Sequence, residues 1–166
     1  MAYAEINNTV LYYETHGEGE PLMLVAGLAS DSQSWQTIIR YLSEHYLVIT
    51  FDNRGVGRTR PEKDEVNIRQ IADDCIALIR HLGLRETNLV GHSMGGFVAL
   101  DLAIRHPEHI KSLVLVATAA SNSQRNNALF SSWASYLEMG MDLGLWFRNL
   151  FYWIFSAQFF ENELLV

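Results

Sequence analysis

Apolar positions along the chain follow two alternating rhythms. Four short unbroken runs, "LMLVAG" from Leu22, "YLVITFD" from Tyr46, "TNLVG" from Thr87 and "KSLVLVAT" from Lys111, have the length of strands covered on both faces of a parallel sheet. Between them lie stretches with helical spacing. In "IRQIADDCIALIRHLG" the apolar residues Ile68, Ile71, Cys75, Leu78 and Leu82 recur every three or four positions, with Asn67 placed as N-cap and Gly83 as the residue that ends the helix. A second helix is predicted through "FVALDLAIRH", stopping before Pro107, and a shorter one from Ser34-Trp35 to about Leu42. Strand and helix patterns in alternation predict a parallel α/β sheet with right-handed crossovers.

Ahead of this alternation, "YAEINNTVLYYETHG" shows a two-residue period broken at Asn7-Asn8. Asparagine tolerates positive φ, so a β-hairpin with its turn there is predicted. "GEGE" with Pro21, the glycine-containing "NRGVGRTRP" and the mixed-charge "PEKDE" at Pro61–Glu65 read as loops, the last of them solvated. No internal repeat or low-complexity segment is present.

After Thr118 the texture changes. "AASNSQRNN" is polar, and the stretch from Ala128 onward is rich in aromatics. Leu143 to Phe160 is apolar enough and long enough to raise a membrane span. Arg148, Asn149 and Gln158 interrupt it and Gly140 and Gly144 precede it, so an amphipathic helical cap over a pocket is the preferred reading. The chain is accordingly divided into residues 1–118, the α/β part, and residues 119–166, a helical cap-like segment.

Charge narrows the class of partner. Twelve Lys and Arg against nineteen Asp and Glu give a formal net charge of −7, the wrong sign for nucleic acid or an anionic membrane surface. Cys75 is the only cysteine, which excludes an intrachain disulfide and a thiolate metal cluster. With no basic n-region or long apolar run in "MAYAEINNTV", a cytoplasmic setting is expected, and no metal or cofactor is anticipated.

The chemistry-bearing stretch is "GHSMG", Gly91 to Gly95, between a predicted strand and a predicted helix. It matches G-x-S-x-G, in which a serine occupies a sharp, strained strand-to-helix turn. Glycines two residues to either side avoid collisions, and the helix N-terminus lies beside the serine hydroxyl.

In order and spacing, "PLMLVAGLAS", "SWQTIIRYLSEHYLVITFDNRGVGRT", "IADDCIALIRHLGL" and "NLVGHSMGGFVALDLAIRHPEHIKSLVLVAT" resemble the α/β-hydrolase family, in its branch of small esterases, enol-lactonases and C–C bond hydrolases. The resemblance covers about Tyr3 to Thr118. It implies a three-layer core around a mostly parallel sheet of about six strands, truncated before the family's last strands and followed by part of a cap. It also implies Ser93 as nucleophile, with an oxyanion hole formed by the backbone N–H groups of Leu28 and Met94. The substrate would be a small ester, lactone or related acyl compound. The family commonly has His-Gly where this chain has Ala26-Gly27, a minor departure because the donor is a backbone amide.

A larger departure concerns the rest of the triad, which in this family follows the order Ser, Asp or Glu, His. The histidines are His16, His45, His81, His92, His106 and His109, and none occupies the family's late position. Each reads as solvated or helix-terminal, and His92, beside Ser93, as packing. Glu138, Asp142, Glu161 and Glu163 lie in the cap-like segment or its tail. Asp52 and Arg54 are expected to shape their loop, and "GVG" at 55–57 is a weak phosphate cradle because no helix opens after it.

A serine without a base is nearly inert at neutral pH, so the chain alone is expected to be almost inactive. With no strand predicted beyond "KSLVLVAT", its apolar edge should drive self-association through that strand or the aromatic segment. A non-catalytic binding or assembly module is the alternative reading.

Overall fold

The computed structural model describes residues 2–61 and 66–161, so most of the loop read in "PEKDE" and the acidic tail residue Glu163 lie outside the described residues. The chain divides into two compact units, Met1–Ala120 and Ser121–Val166.

The first unit is built on one sheet. Strands β1 (Ala2–Ile6) and β2 (Thr9–His16) form the hairpin, and Asn7 and Asn8 both take positive φ at its turn. Strands β3 (Glu20–Val25), β4 (Tyr46–Phe51), β5 (Arg60–Pro61), β6 (Thr87–His92) and β7 (Ile110–Val116) complete it. The order is β1-β2-β4-β3-β6-β7, with β4, β3, β6 and β7 parallel and the hairpin antiparallel at one edge. The seventh strand, beyond the expected six, is the two-residue β5, which pairs with β2 at Thr9 and Val10.

Helix α1 (Gln36–Leu42) follows a 3₁₀ turn at Ser32–Trp35. Helices α2 (Ile68–His81) and α3 (Met94–Arg105) come next. The Asn67 side chain caps α2 by accepting from the Gln70 N–H, and Gln70 returns the bond to the Asn67 N–H.

The period of two along each strand sorts side chains between two cores. Met23 and Val25 of β3, Ile49 and Phe51 of β4 and Leu89 of β6 face Ile71, Cys75, Leu78 and Ile79 of α2 and Val98 and Leu102 of α3. Leu22, Leu24 and Ala26 point the other way and pack with Val48 and Trp35. Covered strands therefore show no polar alternation, which is why they read as unbroken apolar runs.

β7 is different. Among the described residues only β6 pairs with it, and Val114, Leu115 and Val116 are 51%, 43% and 43% exposed.

The second unit is helical: α4 (Gln124–Glu138), α5 (Leu143–Ile154) and α6 (Ala157–Glu161), with Ser123 and Asp142 capping the first two. Trp133, Trp146 and Leu150 form its small buried centre. Each indole N–H is satisfied, Trp146 donating to the Trp133 carbonyl and Trp133 to the Asn149 side chain, both at 2.9 Å. Asn149, which breaks the apolar run in the sequence, is thus required by a tryptophan. No described helix is long and apolar enough to cross a membrane.

One buried ion pair joins distant parts of the first unit. Arg54 donates to both oxygens of the fully buried Asp74 at 2.9 and 2.7 Å and to the Asn7 carbonyl at 3.0 Å, while the Asn7 side chain donates to Asp74 at 3.0 Å. Hairpin turn, loop and α2 are locked together by these four bonds. Asp74→Ala would leave a buried guanidinium unpaired and should lower the unfolding free energy by about 3–5 kcal/mol. Asp73→Ala, which breaks a half-exposed pair with Arg105, should cost no more than about 1 kcal/mol. Urea melts of the two variants check the contrast.

Candidate active site

Ser93 joins β6 to α3 at the carboxyl edge of the parallel strands, where open α/β sheets place their ligands. Its backbone has φ 53° and ψ −118°, a conformation a serine adopts only where its surroundings enforce it. Two hydrogen bonds do so: the Ser93 N–H donates to the Val116 carbonyl and the Gly96 N–H to the Ser93 carbonyl, both at 2.9 Å.

The flanking glycines are needed for close approach. A Cβ on Gly91 would lie 2.5 Å from the Gly95 carbonyl oxygen. One on Gly95 would lie 2.7 Å from the Ala26 oxygen and closer still to that of Val25. The head of α3 therefore rests directly on the end of β3.

That contact brings the loop after β3 to the serine. A Cβ on Gly27 would be 3.2 Å from the Ser93 Cβ, so Gly27, the residue before Leu28, stands beside the serine side chain. The Ser30 N–H donates to the Gly27 carbonyl at 3.3 Å, closing a four-residue turn, and Ala29 within it has φ 55°. Among the described residues no backbone carbonyl accepts from the N–H of Leu28 or of Met94. Met94 opens α3, where helical N–H groups lack intrahelical partners.

The histidines are placed elsewhere. Strand register carries His16 to Val48, Val48 to Leu22 and Leu22 to Asn88, so His16 lies level with a residue five positions before Ser93. At about 3.3 Å per residue, that is some 16 Å down the sheet. His45 precedes β4, His81 ends α2, and His106 and His109 follow α3, a twelve-residue helix about 18 Å long. His109 contacts the Arg85 carbonyl at 2.7 Å, below the start of β6. His92 alone shares the edge with Ser93. Its ring is exposed and meets Trp35 edge-on, centroids 6.2 Å apart, and among the described residues it makes no hydrogen bond to Ser93.

Asp52 and Arg54 shape the loop after β4. Asp52 accepts from the Ser32 N–H, the Arg58 N–H and the Arg58 guanidinium at 2.8–3.2 Å. Burial by itself would raise its carboxyl, but the bonds from Arg58 and Ser32 outweigh that and hold it below the usual carboxylate range. Arg58 also lies 3.6 Å over the Tyr12 ring, whose buried phenol is bonded to Glu14 and pushed up to about 12. Among the described residues 58–61 no helix opens after Gly55–Gly57, and Gly57 faces the Asp52 carboxylate instead.

Two further residues at this edge carry no signal in the sequence. The side chain of Asn53 donates to the Ala26 carbonyl at 3.1 Å, and the Thr118 side chain abuts the Cα of Gly96. Neither belongs to a periodic pattern, and both contacts span more than twenty residues. Among the described residues no group of three His, Cys, Asp or Glu side chains could hold a metal ion.

A family model described as alpha/beta hydrolase fold matches residues 20–158, so the chain belongs to that family. A relative from Acinetobacter baylyi, named as an (E)-2-((N-methylformamido)methylene)succinate hydrolase, is 33% identical over 110 residues, 66% of this chain and 42% of its own length. Among solved structures, the enol-lactonase from Burkholderia xenovorans LB400 superposes with a TM-score of 0.86 at 30% identity, covering 98% of this chain and 63% of that one. An esterase from Thermogutta terrifontis gives 0.73 at 29% identity over 81% of this chain and 50% of that one. The chain spans less than half the length of the first curated relatives it matches.

The close approach of α3 to β3 makes a sharp prediction. Gly95→Ala must displace backbone and should cost more than about 3 kcal/mol. Gly83→Ala has the strain of φ +67° but nothing within 4 Å of the new methyl, and should cost about 1–2 kcal/mol. Denaturant unfolding of the two variants measures the difference.

Proposed function

We propose that Ser93 is the nucleophile of a serine hydrolase acting on small ester, lactone or related acyl substrates. The observation that carries this reading is its strained turn at the head of α3, with the Gly27–Leu28 loop alongside. In the reaction the Ser93 Oγ attacks the acyl carbon and its proton passes to a base. The carbonyl oxygen becomes an oxyanion held by the N–H groups of Leu28 and Met94, collapse of the tetrahedral species expels the alcohol with the proton returned from the base, and water then cleaves the acyl-serine ester. The names of the relatives support the class: a hydrolase, an enol-lactonase and an esterase.

Neither base nor acid is assigned to a described residue: His16, His45, His106 and His109 lie toward the amino ends of the strands, His81 packs on Tyr13 and His92 turns to Trp35. Without a base and an acid turnover should be lower by about 10⁴ to 10⁶. The residual chain would still present a serine on which an oxyanion can be stabilised. A cytoplasmic setting suits the lone Cys75, whose burial pushes its thiol up and keeps it unreactive.

A fluorophosphonate probe tests the assignment. Labelling of the chain mapped by mass spectrometry to Ser93, and lost in Ser93→Ala, is the expected outcome. No labelling at pH 9 and millimolar probe, or labelling unaffected by Ser93→Ala, would favour a binding or assembly module instead.

The edge of β7 supports a second proposal, that copies of this chain associate through it. Three successive exposed apolar residues lie along a strand with one side unpaired among the described residues. Light scattering behind size exclusion should give a mass that rises above 18.9 kDa with concentration. A clean monomer at high concentration overturns it.

A further inference from the structure

We infer that Asn53 is a positioning residue, holding the loop that aims the Leu28 N–H at the acyl oxygen. The inference rests on the reading of Ser93 and Leu28 given above and deepens it.

The direction of the Leu28 N–H is fixed by the two peptides before it. The carbonyl of one, Gly27, is taken by the Ser30 N–H at 3.3 Å. The carbonyl of the other, Ala26, is taken by the Asn53 side chain at 3.1 Å, and on its other side that oxygen abuts the Cα of Gly95. The Ala26 carbonyl is thus wedged between the head of α3 and one carboxamide that reaches across from the end of β4. With both carbonyls occupied, the Leu28 N–H has no backbone acceptor among the described residues and lies in the loop beside Ser93.

The chemistry of Asn53 fits a donor retained for this purpose. The residue is fully buried, and its own carbonyl oxygen, Oδ1, is buried without a hydrogen-bond partner. An orphaned acceptor is costly, and a position selected for packing alone would be served better by an apolar side chain of similar size. Turning the carboxamide over would set two acceptors against each other at Ala26, so the donor assignment follows from the geometry. A carboxylate in the same place would have no proton to give. Ala29, held at φ 55°, lies at the far end of the same turn, so the loop is under tension and needs an anchor.

Asn53→Asp keeps the shape and removes the donor, and acid restores a donor by protonating the new carboxyl. In ¹⁵N-labelled chain at pH 8, the Gly27, Leu28 and Ala29 amide signals of this variant should move from their wild-type positions, while those of Met94 and Gly95 stay. As the pH falls and the carboxyl protonates, the moved signals should return. After phosphonylation of Ser93, which forms the serine–phosphorus bond and releases fluoride with the hydroxyl proton passing to buffer, both the Leu28 and Met94 amides should shift downfield in wild type. In Asn53→Asp at pH 8 only Met94 should, and labelling should slow about 10- to 100-fold.

A Leu28 amide that matches wild type at pH 8 in the free chain overturns the inference, as does a full Leu28 shift in the labelled variant. If wild type takes no label, the serine reading fails, and the free-chain comparison still decides the role of Asn53. If Asn53→Asp does not fold, Asn53→Leu removes the donor together with its orphaned acceptor and should show the same loss at Leu28 alone. An unchanged Leu28 shift in that variant overturns the inference equally.

Discussion

The head of α3 rests on the last residues of β3 with no side chain between them, and the carboxyl edge of the sheet is organised around that contact. Glycine at 95 allows it, because any Cβ would run into the carbonyls of Val25 and Ala26. Once the helix is that close, its first residue must be reached from β6 through a single tight step, and Ser93 absorbs the step with a positive φ. The same contact brings Gly27 against the Ser93 side chain. The position of Ser93 and that of the Gly27 loop are therefore not separate features of this chain. They are one packing constraint seen from two strands.

Polar side chains are buried where that constraint needs support from farther away. Asp52, Asn53 and Arg54 leave β4 in succession, and each is directed to a different partner: Asp52 to Ser32 and Arg58, Asn53 to Ala26, and Arg54 to Asp74 and the hairpin turn. All three are at most 8% exposed. A carboxylate and a guanidinium removed from water at such depth are tolerable because every charge meets an opposite charge or several donors. The stabilisation from Asp52 is fully present above about pH 4, the ordinary range for an unfolded aspartate, and is lost as the pH falls through its lowered folded value.

How much of this could be read beforehand depends on whether the cause is local. The hairpin turn at Asn7-Asn8, the N-cap at Asn67 and the ends of α2 and α3 follow from residues within a few positions, and the sequence shows them plainly. Parallel strands were legible because burial on both faces leaves a continuous apolar run. The G-x-S-x-G turn was legible because sterics fix its glycines by spacing. In contrast, β5 has two residues and no pattern, and its pairing with β2 spans about fifty positions. The Arg54–Asp74 pair and the Asn53 bond to Ala26 are also long-range, and an asparagine in "FDNRG" looks like any other turn residue. Helix boundaries in the aromatic segment were hidden for another reason: Asn149 interrupts an apolar face in the sequence, and only its indole partner explains it.

The hydrogen bond from the Ser93 N–H to the Val116 carbonyl gives β7 a meaning beyond its role as the outermost strand. One side of β7 is paired along β6 and its last residue is bonded to the backbone of the serine itself. A displacement of β7 is consequently a displacement of one of the two hydrogen bonds that hold the strained turn. Whatever lies along the outer side of that strand sets how stiffly the serine backbone is held. The border of the sheet and the strained turn at Ser93 are mechanically a single object.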